Sequence, residues 1–515
     1  MKRMNTNEFI LLIILIIAFM LRITGITFPV HHFDENISMT VLLRMLQNNS
    51  LNPHYFIYPQ QPWFYLNFIV YKIYTFCVFC LHGSITLSTT KYYNYIISNL
   101  HSYYVLSRLI SVLFSTLSVY LIYQVAQLLT KNKPASYVAA ITLALAPLPN
   151  YFCKYFVRIE EMAIPFVLLI SYLLLKYIDN KETKYLYFCA ILAGLVTSIK
   201  WPFAIITLPL FVILTREKSF KQIDLKYYRL CLALLCVFAS LFLVFALFYS
   251  VNLESNIKPL ANKMINSKLL PQHQAYIIVN NDKTILVQKS LNSILYSIQK
   301  YLLLLPVLLT AIAIYFAMNK YLALKTLGVI FNRTTISLIV VCFASFVVFS
   351  PFVVLSPFLV LYEISRQWWG DNNFINSFIW YLSNTLNYGI GNIILSLLSL
   401  SGLIAVMLSK ELNTSKKIAL TLFPATYFLY LCVPGLRWDR WMLPIIPFQA
   451  IYIAFLFNII LSNKNKAPIA VALKSLTALL LICGLYGSLK TSIANDYLFT
   501  HFDQHKMEKI WIKND

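Results

Sequence analysis

The stretch Glu8-Phe-Ile-Leu-Leu-Ile-Ile-Leu-Ile-Ile-Ala-Phe-Met-Leu-Arg-Ile-Thr-Gly-Ile-Thr-Phe-Pro29 leads through Val30 into His31-His32-Phe33-Asp34-Glu35-Asn36. A helix needs about 17–25 mostly apolar residues to cross a hydrocarbon core of about 30 Å, and 8–29 supplies them. A basic start, Met1-Lys2-Arg3, precedes this run. It is too long for the apolar region of a signal peptide, and no small-residue cleavage site follows. The expectation is therefore a retained first membrane helix, with two carboxylates placed directly at its far end.

Working outward, comparable apolar runs recur near 104–130, 134–151, 161–179, 185–199, 201–215, 229–250, 300–318, 335–361, 386–409, 418–434, 441–462 and 468–489. With 8–29 they make about thirteen crossings of an all-α polytopic membrane protein. Segment 62–82 is also apolar, but charge parity argues against counting it. Short cytoplasmic connections are enriched in Lys and Arg. Threaded from a cytoplasmic N-terminus, thirteen crossings put Lys131/Lys133, Lys181/Lys184, Arg216 to Arg229, Lys320 to Arg333, Lys410 to Lys417 and Lys464/Lys466 inside. One further crossing would put all of them outside. Segment 62–82, with Trp63, Tyr65, Tyr71 and Tyr74, is therefore expected to lie along the outer interface, where aromatic side chains concentrate. The C-terminus then ends outside.

Composition agrees. Hydrophobic residues make up 59% of 515 and charged residues 12%, half the roughly 25% of soluble domains. The 11 glycines include no phosphate-cradling loop of the nucleotide-binding kinds, which disfavours a Rossmann enzyme or an on-chain ATP motor. The net charge of +23 follows from topology and anionic headgroups, and no soluble basic segment offers itself to nucleic acid. The nine cysteines fall in or beside apolar runs, as packed, reduced thiols do.

The outward side carries two sizeable loops, 30–103 and 251–299, and the chain's unusual residues gather on it. Only 19 acidic residues exist in the chain, and two are Asp34-Glu35, either a solvated helix start or a general base held at the lipid–water boundary. Tyr58-Pro59-Gln60-Gln61-Pro62 is a rigid turn opening the interfacial segment. Glu160-Glu161 follows Arg158, which offers itself as an ion-pair partner for a carboxylate that would otherwise be costly at membrane depth. Lys200 either snorkels from a helix end or binds an anion. Arg437 and Arg440 flank Trp438-Asp439 on the last outward turn, against the topological bias. They serve either as interfacial anchors or as planar forks for phosphate oxygens. His31, His32 and His54 could ligate a divalent metal, but their spacing gives little support to one.

These residues resemble the C-type (GT-C) membrane glycosyltransferases, in the branch of protein O-mannosyltransferases and bacterial aminoarabinose transferases. The features that carry the resemblance, over about 1–490, are Asp34-Glu35, the Tyr58-Pro59 turn, Arg108, Pro147 and Pro149 before Glu160-Glu161, Gly194 to Lys200, and Arg440-Trp-Met-Leu-Pro444 with Pro447. Gln61 stands where aminoarabinose transferases carry a lysine, which implies a different sugar. Their large C-terminal domain is not matched either, since residues 491–515 make only a short extracytoplasmic tail.

The resemblance implies a GT-C fold with interfacial helices in the first outward loop, in a multi-pass protein of the inner membrane. It implies transfer of a sugar, with inversion, from a polyprenyl-phosphate donor to an extracytoplasmic lipid, polysaccharide or protein, with no metal or other cofactor required. Asp34 would be the base and Glu35 its support. Glu161 or Glu160 would bind sugar or acceptor, with the spacing to Phe166 favouring Glu161. Arg440, Lys200 and Arg437 would neutralise the departing phosphate, with Tyr58 and Arg158 nearby. The rival expectation is a transporter or lipid-linked-sugar flippase. It would call for inverted repeats with broken helices, which the sequence does not show.

Overall fold

The computed structural model describes residues 6–28, 33–82, 88–154, 159–217, 332–356, 360, 374–385, 389–433, 437–462 and 468–500. The runs at 229–250 and 300–318, the loop 251–299, His31, His32 and Arg158 lie outside the described residues. Among those described, the structure is helical and has no strand. Two compact units separate, 1–213 with 340–351 and 370–515, and 214–339 with 352–369. The described part of the second unit consists of helical segments at 214–217, 333–339 and 352–355. Asp34, Glu160, Lys200 and Arg440 all belong to the first unit.

Its helices are α1 (Thr6–Ile23), α2 (Phe33–Gln47), α3 (Gln61–Leu81), α4 (Thr89–Ser98), α5 (Leu100–Thr130), α6 (Lys133–Leu145), α7 (Pro147–Phe152), α8 (Ile159–Asn180), α9 (Lys184–Ile199) and α10 (Thr207–Glu217, to 213 in this unit). After them come α11 (Arg333–Phe349, from 340 in this unit), α12 (Pro351–Leu355, its first residue only), α13 (Phe374–Asn384), α14 (Ile393–Leu408), α15 (Thr414–Leu431), α16 (Ile446–Ser462) and α17 (Pro468–Thr500). Four described segments are long and apolar enough to cross a membrane: Gln61–Leu81, Leu100–Thr130, Ile159–Asn180 and Val471–Tyr497. Shorter apolar helices accompany them. Exposed Phe9, Ile13, Ile16 and Met20 on α1, like Leu397, Leu400 and Ile404 on α14, suit contact with lipid tails. This is a multi-pass membrane protein. Helix α3, expected along the outer interface, is one of the four, so its length and composition also suit a crossing.

Eleven of the thirteen apolar runs fall on described helices, with informative differences. The run 134–151 is not one helix. Pro147 and Pro149 lack the N–H groups that would bond the carbonyls of Leu143 and Leu145, so α6 stops and α7 starts anew. Those carbonyls find other donors, as buried ones must. Arg22 gives Nη2 to Leu143 (3.1 Å) and Nη1 to Ala144 (3.1 Å). Ser492 and Ser488 give their hydroxyls to Leu145 (2.8 and 3.1 Å). Arg22, within the first apolar run, is fully buried. Pro424 likewise frees the Leu420 carbonyl in α15, and the Tyr452 hydroxyl donates to it at 2.9 Å. Prolines in this membrane fold thus create acceptors that long-range polar side chains then bind, tying α1 and α17 to α6 and α16 to α15.

Helix α13 answers to no expected run, since Phe374–Asn384 is too short and mixed to stand out in the sequence. Helix α17 runs to Thr500, beyond the apolar stretch ending at 489, and its last turns carry Asp496, which forms a buried ion pair with Lys154. Helix α5 packs on α1, α6 and α8, α8 on α9, and α16 on α6 and α14. At Gly194 a side chain would collide with the backbone at Cys342 and Phe346, so glycine is what lets α9 and α11 touch.

Candidate functional site

The first turn of α2 sorts its three polar residues by direction. Successive residues on a helix point about 100° apart, so Asp34 and Glu35 cannot face the same partner. Glu35 is fully buried and takes a two-pronged bond from Arg108 of α5, Nε to Oε1 at 2.9 Å and Nη2 to Oε2 at 2.8 Å. Arg108 also donates Nη1 to the carbonyls of Ile26 and Phe28 (3.1 and 2.9 Å), and its guanidinium lies 3.7 Å from the Phe28 ring centre. Asn36 accepts from the Tyr104 hydroxyl at 2.8 Å. Three hydrogen bonds to α5 therefore clamp the turn. Asp34, about a quarter exposed, is presented to the opposite end of the chain.

There it accepts a 2.6 Å hydrogen bond from Arg440 Nη1. The Arg440 guanidinium stacks 3.7 Å from the Trp438 ring centre, and the Trp438 and Trp441 rings are 5.6 Å apart. This turn is pinned to α13: the Trp438 amide donates to the Tyr381 hydroxyl (3.3 Å) and Asn384 donates to Asp439 (3.1 Å). Arg437 stays half-buried at its start.

Lys200 is the second centre. It caps α9 in an extended conformation and forms a buried ion pair with Glu160. Its ammonium lies 4.8 Å from the ring centres of both Tyr58 and Trp441. Tyr58 is brought there by its turn: Gln60 adopts a left-handed backbone and its amide donates to the Ile199 carbonyl at 3.3 Å. Trp441 thus joins the pairs Asp34–Arg440 and Lys200–Glu160 into one aromatic-walled cluster, from residues spread over more than 400 positions.

The sequence left the order of the second acids open, leaning to Glu161. The structure puts Glu160 at Lys200 and turns Glu161 a helical step away, into the interior beside Arg22 and Ser115. Glu161 is buried, and the Arg22 guanidinium and the Ser115 hydroxyl act on its carboxylate. Lys200 is not an isolated cation, since Glu160 already offsets its charge. The sequence did not single out Arg22, Trp438, Trp441 or Tyr427 as polar features. A lone arginine inside an apolar run was a usable signal for the first. Nothing local separates the aromatic residues from dozens of others.

Burial pushes the Asp439 carboxyl up to about 6 from an ordinary value of about 4. A raised carboxyl means the folded state binds the proton more tightly than the unfolded chain. This stabilising contribution is complete below pH about 4 and is lost as pH rises through about 6. The melting temperature of the detergent-solubilised protein should therefore lag increasingly behind that of Asp439→Asn between pH 4.5 and 7. Parallel profiles for the two proteins would show that Asp439 is not desolvated.

Residues 95–243 match the family described as dolichyl-phosphate-mannose-protein mannosyltransferase. No curated protein matches the chain. Among solved structures, it is similar to the archaeal oligosaccharyltransferase AglB from Archaeoglobus fulgidus in complex with an inhibitory peptide and a dolichol-phosphate. That similarity has 14% identity and a TM-score of 0.48, over 95% of this chain and 56% of that one. The apo form of the Archaeoglobus fulgidus oligosaccharyltransferase gives 14% and 0.47 over the same shares. Its complex with Zn and sulfate gives 13% and 0.47, over 95% and 53%. The chain spans a little over half the length of these proteins.

Proposed function

We propose, with the match of residues 95–243 to the dolichyl-phosphate-mannose-protein mannosyltransferases as premise, that the chain is an integral membrane glycosyltransferase. It moves a sugar from a polyprenyl-phosphate donor to an extracytoplasmic acceptor, with inversion. The observation that carries this reading is the 2.6 Å contact between Asp34 and Arg440 beside the Lys200–Glu160 pair. It brings a candidate base and a candidate phosphate ligand into one cluster, reached by the ends of several membrane helices.

The chemistry follows from the pairing. The acceptor oxygen attacks the anomeric carbon, Asp34 takes its proton, and the sugar–phosphate bond breaks with its electron pair on phosphate oxygen. In an inverting displacement, the base and the group that receives the leaving phosphate work on opposite faces of the sugar. Asp34 and Arg440 must therefore part to admit it. An arriving phosphate does this by competing for the Arg440 fork, and it thereby releases Asp34 to act as base. Charge accumulating on the leaving group meets a guanidinium already held by Trp438, which lowers the barrier by electrostatic preorganisation. Arg437 supplements it. Tyr58 and Glu160 line the sugar side, and the Lys200–Glu160 pair keeps that side close to neutral. The proposed placement is the inner membrane, with the N-terminus cytoplasmic.

The test is to incubate the purified chain in nanodiscs with radiolabelled polyprenyl-phosphate hexoses and an envelope extract, and to follow release of sugarless polyprenyl phosphate. Consumption of at least one donor, with label appearing on an acceptor, is expected. Donor that crosses the bilayer uncleaved would establish a flippase instead, and a chain that neither cleaves nor moves any donor would end the proposal.

A further inference from the structure

One buried polar group beside the site is unused by the mechanism above. Tyr427 of α15 is fully buried, and its hydroxyl has no hydrogen-bond partner among the described residues. Its ring is stacked on Phe203 (5.7 Å between centres, 15° between planes) and touches Phe423 (5.5 Å). The hydroxyl therefore cannot swing away without breaking aromatic packing. Phe203 in turn donates its backbone N–H to the Lys200 carbonyl at 3.1 Å, which sets Tyr427 beside the Lys200 cluster, and Glu160 and Tyr58 of that cluster act electrostatically on its hydroxyl. Trp441, whose ring faces the Lys200 ammonium, also has a buried indole N–H without a partner. Burying such groups unpaired is costly, and buried polar side chains normally find partners. Two of them near one ion pair mark a place where a ligand completes the bonding.

We infer that the Tyr427 hydroxyl and the Trp441 indole N–H, both near the Lys200–Glu160 pair, form the hydroxyl-reading floor of a hexose subsite. This rests on the donor reading proposed above and assigns the donor's two ends. The anionic phosphate goes to Arg440. The neutral sugar goes to a surface whose own charges cancel and whose free valences are one hydroxyl and one N–H among aromatic rings. A neutral, polyhydroxylated ring offers matching acceptors and donors along its edge and an apolar face for the aromatic walls. A phosphate would gain little from a lysine already shared with a carboxylate.

Tyr427→Phe separates this from a structural role. A tyrosine that serves the fold loses stability when its hydroxyl goes. One whose hydroxyl is unpaired in the fold keeps its melting temperature or gains. Tyr452→Phe, which removes the bond to Leu420, is the contrasting control and should melt lower while binding normally. The probes are a polyprenyl-phosphate hexose, with mannose and glucose headgroups tried separately, and sugarless polyprenyl phosphate, titrated against the full chain in nanodiscs. For Tyr427→Phe we expect binding of the sugar-bearing lipid to weaken roughly tenfold, with the sugarless lipid unaffected. Equal weakening for both lipids would assign the hydroxyl to phosphate and overturn the inference, and unchanged binding of the sugar-bearing lipid would overturn it as well. A wild-type chain that binds neither lipid would overturn the donor reading and this inference with it.

Discussion

Asp34→Asn should abolish sugar transfer while leaving the chain inserted and folded. The side chain keeps its shape and can still accept from Arg440, with which Asp34 shares a 2.6 Å bond, but it can no longer take up the acceptor's proton. Loss of a positioned general base costs about 10²–10⁴ in rate. Asp34 is partly exposed, so loss of its charge should cost little stability. The check is the donor-release assay beside a melting curve and a binding titration with sugarless polyprenyl phosphate. Binding should hold or tighten, because the phosphate no longer competes with a carboxylate for Arg440. Full turnover by Asp34→Asn would remove this residue from the mechanism, and a collapsed melting curve would make its role structural.

The neighbouring residue should behave in the opposite way. Glu35→Ala should unfold or severely weaken the protein, by about 3–5 kcal/mol, because it leaves the Arg108 guanidinium buried without its carboxylate. Arg108→Ala should do the same from the other side and also strip the carbonyls of Ile26 and Phe28 of a donor. Both changes loosen the turn that presents Asp34, so activity falls with stability. Glu35 is thus a positioning residue, whose effect on catalysis comes through Asp34. Replacing both members together by apolar residues of similar volume should restore much of the melting temperature. It should restore less of the activity, since no cation then anchors the start of α2. If Glu35→Ala melts like wild type and loses only turnover, Glu35 itself meets the substrate and the assignment is wrong.

The sequence pointed to the site with a simple signal: charge on the outward turns of an acid-poor, apolar chain. Asp34, Lys200, Arg440 and the Glu160–Glu161 pair were all legible that way, and in the structure four of these five residues meet. What the sequence left open was direction. Adjacent acids on a helix differ by about 100°, and only the packed helices bring Glu160 to Lys200. The same geometry sends Asp34 to Arg440 and Glu35 to Arg108. Arg22 and Tyr427 were missed, and Trp438 and Trp441 stood only as neighbours of Arg440, because arginine in a long apolar run and aromatic residues throughout it are locally ordinary. Only the freed carbonyls around Pro147 and the unpaired hydroxyl on α15 give them meaning.

That the chain is helical and membrane-embedded, and on which ends of its helices polar chemistry gathers, could be read from the amino-acid string. A hydrocarbon solvent leaves a backbone few choices, and apolar run length and charge placement are local properties of the string. The tertiary structure alone decided the pairings, Asp34 with Arg440 across 406 positions and Lys200 with Glu160. Which charges neutralise one another depends on helix rotation and packing. Those follow from contacts between distant residues, such as the close approach at Gly194 and the carbonyls that proline sets free.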